Sequence, residues 1–189
     1  AGDINGMFRN PEIDAIMGLR GGYGAMQILP LLDYARIARN PKLFIGYSDM
    51  TVLHTALRQK AGLATVHGPM LASDIAGALS DFSMRCLLGI VQGGHVPRIL
   101  QNPPGEDIFC LVPGIAQGPL VGGNLSLIVA SLGTPYELDT EGKILFLEDV
   151  GEEPYRVDRM FTQLALAGKL DDVAGFIIGD WADCEPQTE

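Results

Sequence analysis

Cysteine is scarce in this chain of 189 residues: Cys86, Cys110 and Cys184 are odd in number and lack metal-like clustering. That excludes a disulfide framework and leaves reduced thiols as the simple expectation. Positive charge is short too, since 13 Lys and Arg against 23 Asp and Glu give a net charge of -10. Such a balance argues against nucleic acid or an anionic membrane surface as the main partner. Histidine occurs only at positions 54, 67 and 95. Neither His67 nor His95 has a ligand-spaced cysteine or second histidine nearby, so no metal site is expected. No signal peptide stands at the start, and no uninterrupted apolar run is long enough to span a bilayer. The expectation is a soluble protein of the cytoplasm. Ala1-Gly2-Asp3 opens without methionine, which leaves room for a processed leader or a truncated start.

What is present is a chain that is 47% apolar, enough for one large or two smaller cores. Its organising stretch is Lys42 to Ala56. Leu43, Phe44 and Ile45 form a short apolar run between Pro41 and Gly46, as in a strand buried on both faces. A helix is predicted immediately afterwards, with Val52, Leu53, Ala56 and Leu57 on its apolar stripe and Asp49 or Ser48 as its cap. Ser48 therefore stands where a buried strand turns sharply into a helix. There its hydroxyl is presented above the carboxyl end of a sheet, with free N–H groups at the helix start. A plain helix cap explains the same serine, and Gly46-Tyr47-Ser48-Asp49-Met50 lacks the last glycine of G-x-S-x-G.

Ahead of it, Ile13 to Leu19 reads as a strand closed by Arg20-Gly21-Gly22-Tyr23-Gly24, before a helical pattern of Ile28, Leu31, Leu32 and Ala35. Such a glycine loop can present N–H groups to an oxyanion, or it is a tight turn. Arg20 suits a substrate carboxylate or a structural contact. Leu63 to Val66 makes the next strand and ends at His67-Gly68-Pro69. Strand, helix, strand, helix, strand is the repeat of a parallel sheet covered by helices, which places Arg20, Ser48 and His67 on one rim. His67 reads as a general base or as a hydrogen-bonded wall residue, and His54 as structural or exposed.

Phe82, Cys86 and Leu87 are expected to stripe a short helix, followed by loops at Gly93 to Pro97 and Asn102 to Gly105, with His95 in the first. The chain divides accordingly into an N-terminal α/β domain over 1–90, a crossover over 91–119 and a second α/β or β-rich domain over 120–189. In the latter, Leu120 to Ser126 leads into a helix of Leu125, Ile128, Val129 and Leu132, with Asn124 capping it or orienting a bound peptide. Lys143 to Leu147 is a strong strand signal that runs into Glu148-Asp149, a carboxylate pair that is costly on a buried strand end unless partnered. Glu148 suits either orienting a histidine or a structural contact, with Asp149 second for both. A helix after Pro154, carrying Val157, Met160, Phe161, Leu164 and Ala165, and a further buried strand over Val173 to Ile178 complete the pattern.

Taken together, Ile16 to Gly24, Lys42 to Thr51, His67-Gly68-Pro69, Val121 to Leu127 and Leu145 to Tyr155 resemble the LD-carboxypeptidase family of serine peptidases, which includes enzymes of immunity to microcin C-like peptides. These blocks cover essentially the whole chain, in order. The resemblance implies a Ser-Glu-His peptidase with Ser48 as nucleophile, Glu148 as orienting acid, an oxyanion hole from the backbone of Gly22 and Asp49, and Asn124 near the substrate groove. It also implies hydrolysis of the amide between meso-diaminopimelate and terminal D-alanine in murein tetrapeptide, without metal or organic cofactor, in cytoplasmic murein recycling, and assembly as a homodimer. Arg20 would contact a substrate carboxylate and His67 would line the groove.

In that family the catalytic histidine lies well downstream of the Leu-Glu-Asp block, whereas no histidine follows His95 here. The family also has a strand-bearing region before the segment that starts here. The expectation is therefore a chain truncated at both ends. The alternatives are a catalytically inactive peptide-binding relative and an esterase or amidase that uses His67.

Overall fold

The computed structural model describes residues 1–77, 79–93 and 99–186. His95 lies outside the described residues. A first helix, α1 (Gly2–Arg9), precedes three parallel strands, β1 (Ala15–Met17), β2 (Leu43–Gly46) and β3 (Val66–His67), arranged in that order. Ile16 pairs with Phe44, Ile45 with Val66, and Gly46 with His67. Parallel strands need crossovers, and two are present. The first is α2 (Ala25–Ile28), a 3-10 turn (Leu29–Leu31) and α3 (Tyr34–Arg39); the second is α4 (Thr51–Ala61).

The single helix expected across Ile28 to Ala35 is broken in two. Pro30 lacks the N–H that would continue α2, and the Asp33 carboxylate caps a new helix by accepting from Arg36 N–H at 3.0 Å. β1 and β3 are also shorter than the runs Ile13 to Leu19 and Leu63 to Val66 that announce them. Phe8, Ile16, Leu29, Ile37, Phe44 and Leu57 make the core of this half.

The stripe of Val52, Leu53, Ala56 and Leu57 is buried as its spacing predicts, but so are Thr51, His54 and Thr55. The second face of α4 is covered by the other half of the chain. After a π-helical turn (Leu71–Ile75) comes α5 (Asp81–Val91), capped by Ser80. Leu87 is its buried residue, while Cys86, expected on the apolar stripe, is exposed. Described residues between 99 and 119 form no helix or strand.

A second parallel sheet follows the order β4 (Leu120–Asn124), β5 (Ile144–Val150) and β6 (Gly175–Ala182), with α6 (Leu125–Ala130) and α7 (Pro154–Leu166) as crossovers. Pro154 opens α7 where its missing N–H costs nothing. The second half is thus α/β. Val121, Leu125, Ile128, Leu145, Leu147 and Leu164 form its core. The strand expected to be buried over Val173 to Ile178 is the outermost one. Phe176, Ile177 and Ile178 in β6 are 50%, 39% and 44% exposed, and β6 has β5 on one side and no described strand on the other. Among the described residues no helix is long and apolar enough to cross a membrane.

Gly122 has φ +125°, and a Cβ there would overlap the carbonyl oxygen of Phe146 on β5. Gly122→Ala is expected to lower stability by about 3 kcal/mol, read as a fall in the denaturant midpoint. Gly6 has open space around it within α1. Gly6→Ala should raise the midpoint, by up to ~1 kcal/mol.

Candidate active site

Ser48 sits two residues beyond the end of β2, with φ 59°. A serine in the left-handed region is strained, and the surrounding structure must hold it there. It opens a 3-10 turn (Ser48–Met50) that runs directly into α4. The first hydrogen bond of that turn is Met50 N–H to Tyr47 O at 3.2 Å, so the N–H groups of Ser48 and Asp49 precede it and have no partner within the turn. Neither Ser48 nor Asp49 caps α4 with its side chain, contrary to expectation. The Asp49 carboxylate instead accepts from Ala25 N–H at 3.0 Å, tying the end of the glycine loop to the elbow.

Glycines allow the close approach that this arrangement needs. A Cβ on Gly21 would come within 3.0 Å of Ser48 Oγ, and one on Gly18 or Gly46 would overlap the Met50 sulfur. Gly22, beside Gly21, is exposed with φ +153°, and its N–H has no hydrogen bond to a described residue. The Gly22 and Asp49 N–H groups, both expected to serve an oxyanion, make no hydrogen bond to a described residue. Past β3 the chain folds back over the rim, with Leu71 N–H on Gly18 O at 3.0 Å and Ala72 N–H on Leu19 O at 2.7 Å. There Asp74 accepts from Tyr47 Oη at 3.1 Å, fixing the residue before Ser48.

The second wall comes from β4 and β5. Strand alternation sends Glu148 and Asp149 to opposite faces. Asp149, 4% exposed, is fully engaged: it accepts from Asn124 Nδ2 at 2.8 Å, Ser126 N–H at 2.9 Å, Ser126 Oγ at 2.7 Å and Val150 N–H at 2.9 Å. Glu148 lies at a register shift between β5 and β6, and its Oε1 is buried with no hydrogen-bond partner among the described residues. A Cβ on Gly179 would press on Phe146 and Glu148.

His67 faces Glu148, with Nε2 to Oε1 at 3.8 Å, within ion-pair range but too long for a hydrogen bond. Its ring lies edge-on to Phe146 at 5.2 Å between centroids. Burial, helped by His54, holds His67 down to about 4. Burial first, then the Asp149 carboxylate and Asp180, with Asn124 opposing, push Glu148 up to about 7. Near neutral pH the pair is a neutral imidazole beside a carboxyl group near its titration midpoint. His54 is buried, with Nε2 on Gly46 O at 2.8 Å.

Asn124 is 4% exposed and caps α6, accepting from Leu127 N–H at 3.2 Å. Arg20 is exposed on the glycine loop and makes no ion pair among the described residues. Ser48 Oγ has no hydrogen bond to a described residue. Sequence reasoning missed Gly21 as the residue against Ser48, the Asp49 carboxylate as a loop tether, and Asp74 behind Tyr47. Of these, only the glycine run carried a signal.

Two open parallel α/β sheets flanked by helices, with a serine at φ 59° on a strand-to-helix elbow of one and, at a strand end of the other, a carboxylate oxygen without a hydrogen-bond partner among the described residues, define a two-domain α/β protein. Residues 1–68 match the LD-carboxypeptidase N-terminal domain, and residues 117–189 match the LD-carboxypeptidase C-terminal domain. The chain belongs to the LD-carboxypeptidase family. It is 45% identical over 184 residues to the probable murein peptide carboxypeptidase of Bacillus subtilis, covering 97% of this chain and 57% of the relative. It is 34% identical over 209 residues to the murein tetrapeptide carboxypeptidase of Pseudomonas aeruginosa, covering 99% and 62%. The crystal structure of muramoyltetrapeptide carboxypeptidase from Oxalobacter formigenes matches with a TM-score of 0.83 at 33% identity, over 99% of this chain and 62% of that one. The chain therefore spans about three fifths of the length of these relatives.

Glu148 and His67 give opposite pH dependences. Between 4.5 and about 7 the folded state holds a Glu148 proton that the unfolded chain has released, so its contribution to stability falls as pH rises. Between 6.5 and about 4 the unfolded chain takes up a proton that folded His67 refuses, so that contribution falls as pH drops. Denaturation midpoints across this window should therefore fall more steeply on acidification in Glu148→Gln than in the unmodified protein. In His67→Gln they should fall less steeply on acidification than in the unmodified protein, with His54, also held down by burial, still opposing Glu148.

Proposed function

We propose that this chain carries the nucleophile and orienting acid of a serine-type LD-carboxypeptidase. Its reaction is hydrolysis of the amide between meso-diaminopimelate and terminal D-alanine in murein tetrapeptide. The observation that carries the reading is Ser48 at φ 59°, pressed against Gly21 with uncommitted N–H groups beside it. Family membership and the murein peptide carboxypeptidases among the relatives support the substrate class. A cytoplasmic location and a homodimer belong to the same reading through the family resemblance.

In this reading Ser48 Oγ attacks the scissile carbonyl as a histidine takes its proton. The Gly22 and Asp49 N–H groups receive the tetrahedral oxyanion, where preorganised donors act most strongly because the charge exists chiefly in the transition state. Glu148 accepts from the histidine's other nitrogen and stabilises imidazolium. The imidazolium then protonates the departing D-alanine amine, and water releases the acyl group from Ser48. Arg20, exposed on the loop and in no ion pair among the described residues, is assigned to a substrate carboxylate, and Asn124 to the groove wall. His54 is buried, with Nε2 on Gly46 O and Nδ1 without a partner among the described residues, and it has no role in this reading.

A second reading follows from the approach of His67 to Glu148: an esterase or amidase in which His67 is the base. It differs from the first by preferring an ester over the L,D-amide.

D-alanine release from murein tetrapeptide by the natural protein is expected to fall on the order of 10⁴-fold or more in Ser48→Ala and about 10²- to 10⁴-fold in Glu148→Gln. Undiminished release in Ser48→Ala would rule out the serine mechanism. Binding of the tetrapeptide by the unmodified protein without release would assign it to the inactive peptide-binding relatives.

A further inference from the structure

Thr51 lies three residues beyond Ser48 and is completely buried, yet its side chain contributes nothing to the apolar stripe of α4. Its Oγ1 accepts from the backbone N–H of Asn124 at 3.1 Å, joining the turn that carries the serine to the end of β4 in the other domain. The fit around this bond is tight. A Cβ on Gly123 would come within 2.8 Å of Thr51 Oγ1 and 2.9 Å of its methyl carbon, and Gly123 has φ +138°, so the strand can approach the threonine only as glycine.

From Asn124 the contacts continue. Its side chain donates to Asp149 at 2.8 Å, and Asp149 is the strand neighbour of Glu148. The β4–β5 register pairs Asn124 directly with Glu148. A buried hydrogen-bonded path therefore runs from the serine elbow through Thr51, Asn124 and Asp149 to the strand end that carries the orienting acid. Without Thr51 Oγ1 the Asn124 N–H would be left buried and unsatisfied, and the two domains would lose their polar contact at the site.

We propose that Thr51 is a positioning residue that sets the placement of Ser48 relative to Glu148 by holding Asn124 N–H across the domain boundary. This rests on the serine peptidase reading above. The threonine touches neither substrate nor reacting atoms; it acts through geometry, to which nucleophilic attack on a carbonyl is sensitive over about 1 Å.

The test uses the natural full-length protein with murein tetrapeptide, comparing Thr51→Val, which keeps the shape without the acceptor, with Thr51→Ser, which keeps the acceptor. Thr51→Val should lower kcat about 10- to 100-fold with KM changed less than about threefold, and Thr51→Ser should restore kcat to within about threefold. In the unmodified protein the Asn124 amide should exchange its hydrogen only with global unfolding, and in Thr51→Val it should exchange through local opening. A Thr51→Val enzyme with unmodified kcat overturns the proposal, as does a Thr51→Ser enzyme as slow as the valine variant. Should Thr51→Val not fold, fast exchange of the Asn124 amide in the unmodified protein overturns it, and slow exchange together with full activity of Thr51→Ser supports it. Ser48→Ala run alongside separates the two levels. Turnover that survives loss of Ser48 removes the peptidase reading itself, whereas Ser48-dependent turnover indifferent to Thr51→Val removes only the positioning role.

Discussion

The hydrogen bond from Asn124 N–H to Thr51 Oγ1 is the contact on which the relation between the two halves of the candidate site depends. Each sheet assembles its own core, one around Phe44 and Leu57, the other around Leu145 and Leu164. Away from the site Gln59 also joins the halves, donating to Glu137 O at 3.0 Å and accepting from Asp139 N–H at 2.9 Å, while apolar packing between them is non-directional. A buried polar contact is directional and costly to leave unmade, so it specifies one arrangement. α4 is buried nearly all round its first two turns because β4 and α6 pack on its second face, and beside Thr51 Gly123 leaves room for nothing larger.

Around that contact the carboxylates separate into two kinds. Asp149 is satisfied by four donors and has no remaining capacity for chemistry. Glu148, one residue earlier and facing the other way, keeps a buried oxygen with no hydrogen-bond partner among the described residues, and burial pushes it up to about 7. The side chains of Asp49 and Asp74 are likewise engaged, binding the glycine loop and Tyr47 to the elbow. The positioning carboxylates are thus engaged, whereas Glu148 Oε1, without a hydrogen-bond partner among the described residues, faces His67 across the boundary. An unsaturated buried acid is expensive, which is the usual mark of a group kept for function.

Much of this was legible in the sequence where one principle dominates. Leu43 to Ile45 reads as a buried strand because an apolar run bounded by Pro41 and Gly46 has few other uses, and the stripe of Val52 to Leu57 follows from helical spacing. Local pattern could not show what the second domain would cover. His54 and Thr55 therefore sit inside although they lie off the stripe, and β6 is exposed although Phe176 to Ile178 read as interior. Pro30 and Asp33 outweighed the longer apolar period of Ile28 to Ala35, since a missing donor and a new cap act on one turn while periodicity averages over several. The glycines around Ser48 were legible as turns, but the contact of Gly21 with the serine depends on two loops meeting at one rim. Thr51 carried no signal, because a threonine at a helix start has many ordinary explanations.

Ser48 as a nucleophile is the central claim, and trapping its acyl-enzyme tests it most directly. The natural protein would be mixed with murein tetrapeptide, quenched in acid within a turnover, digested and mapped by mass spectrometry. An adduct of the tripeptide acyl group on the peptide containing Ser48, absent in Ser48→Ala, is the predicted result. Release of D-alanine with no adduct on that peptide, or an adduct on another residue, would contradict it.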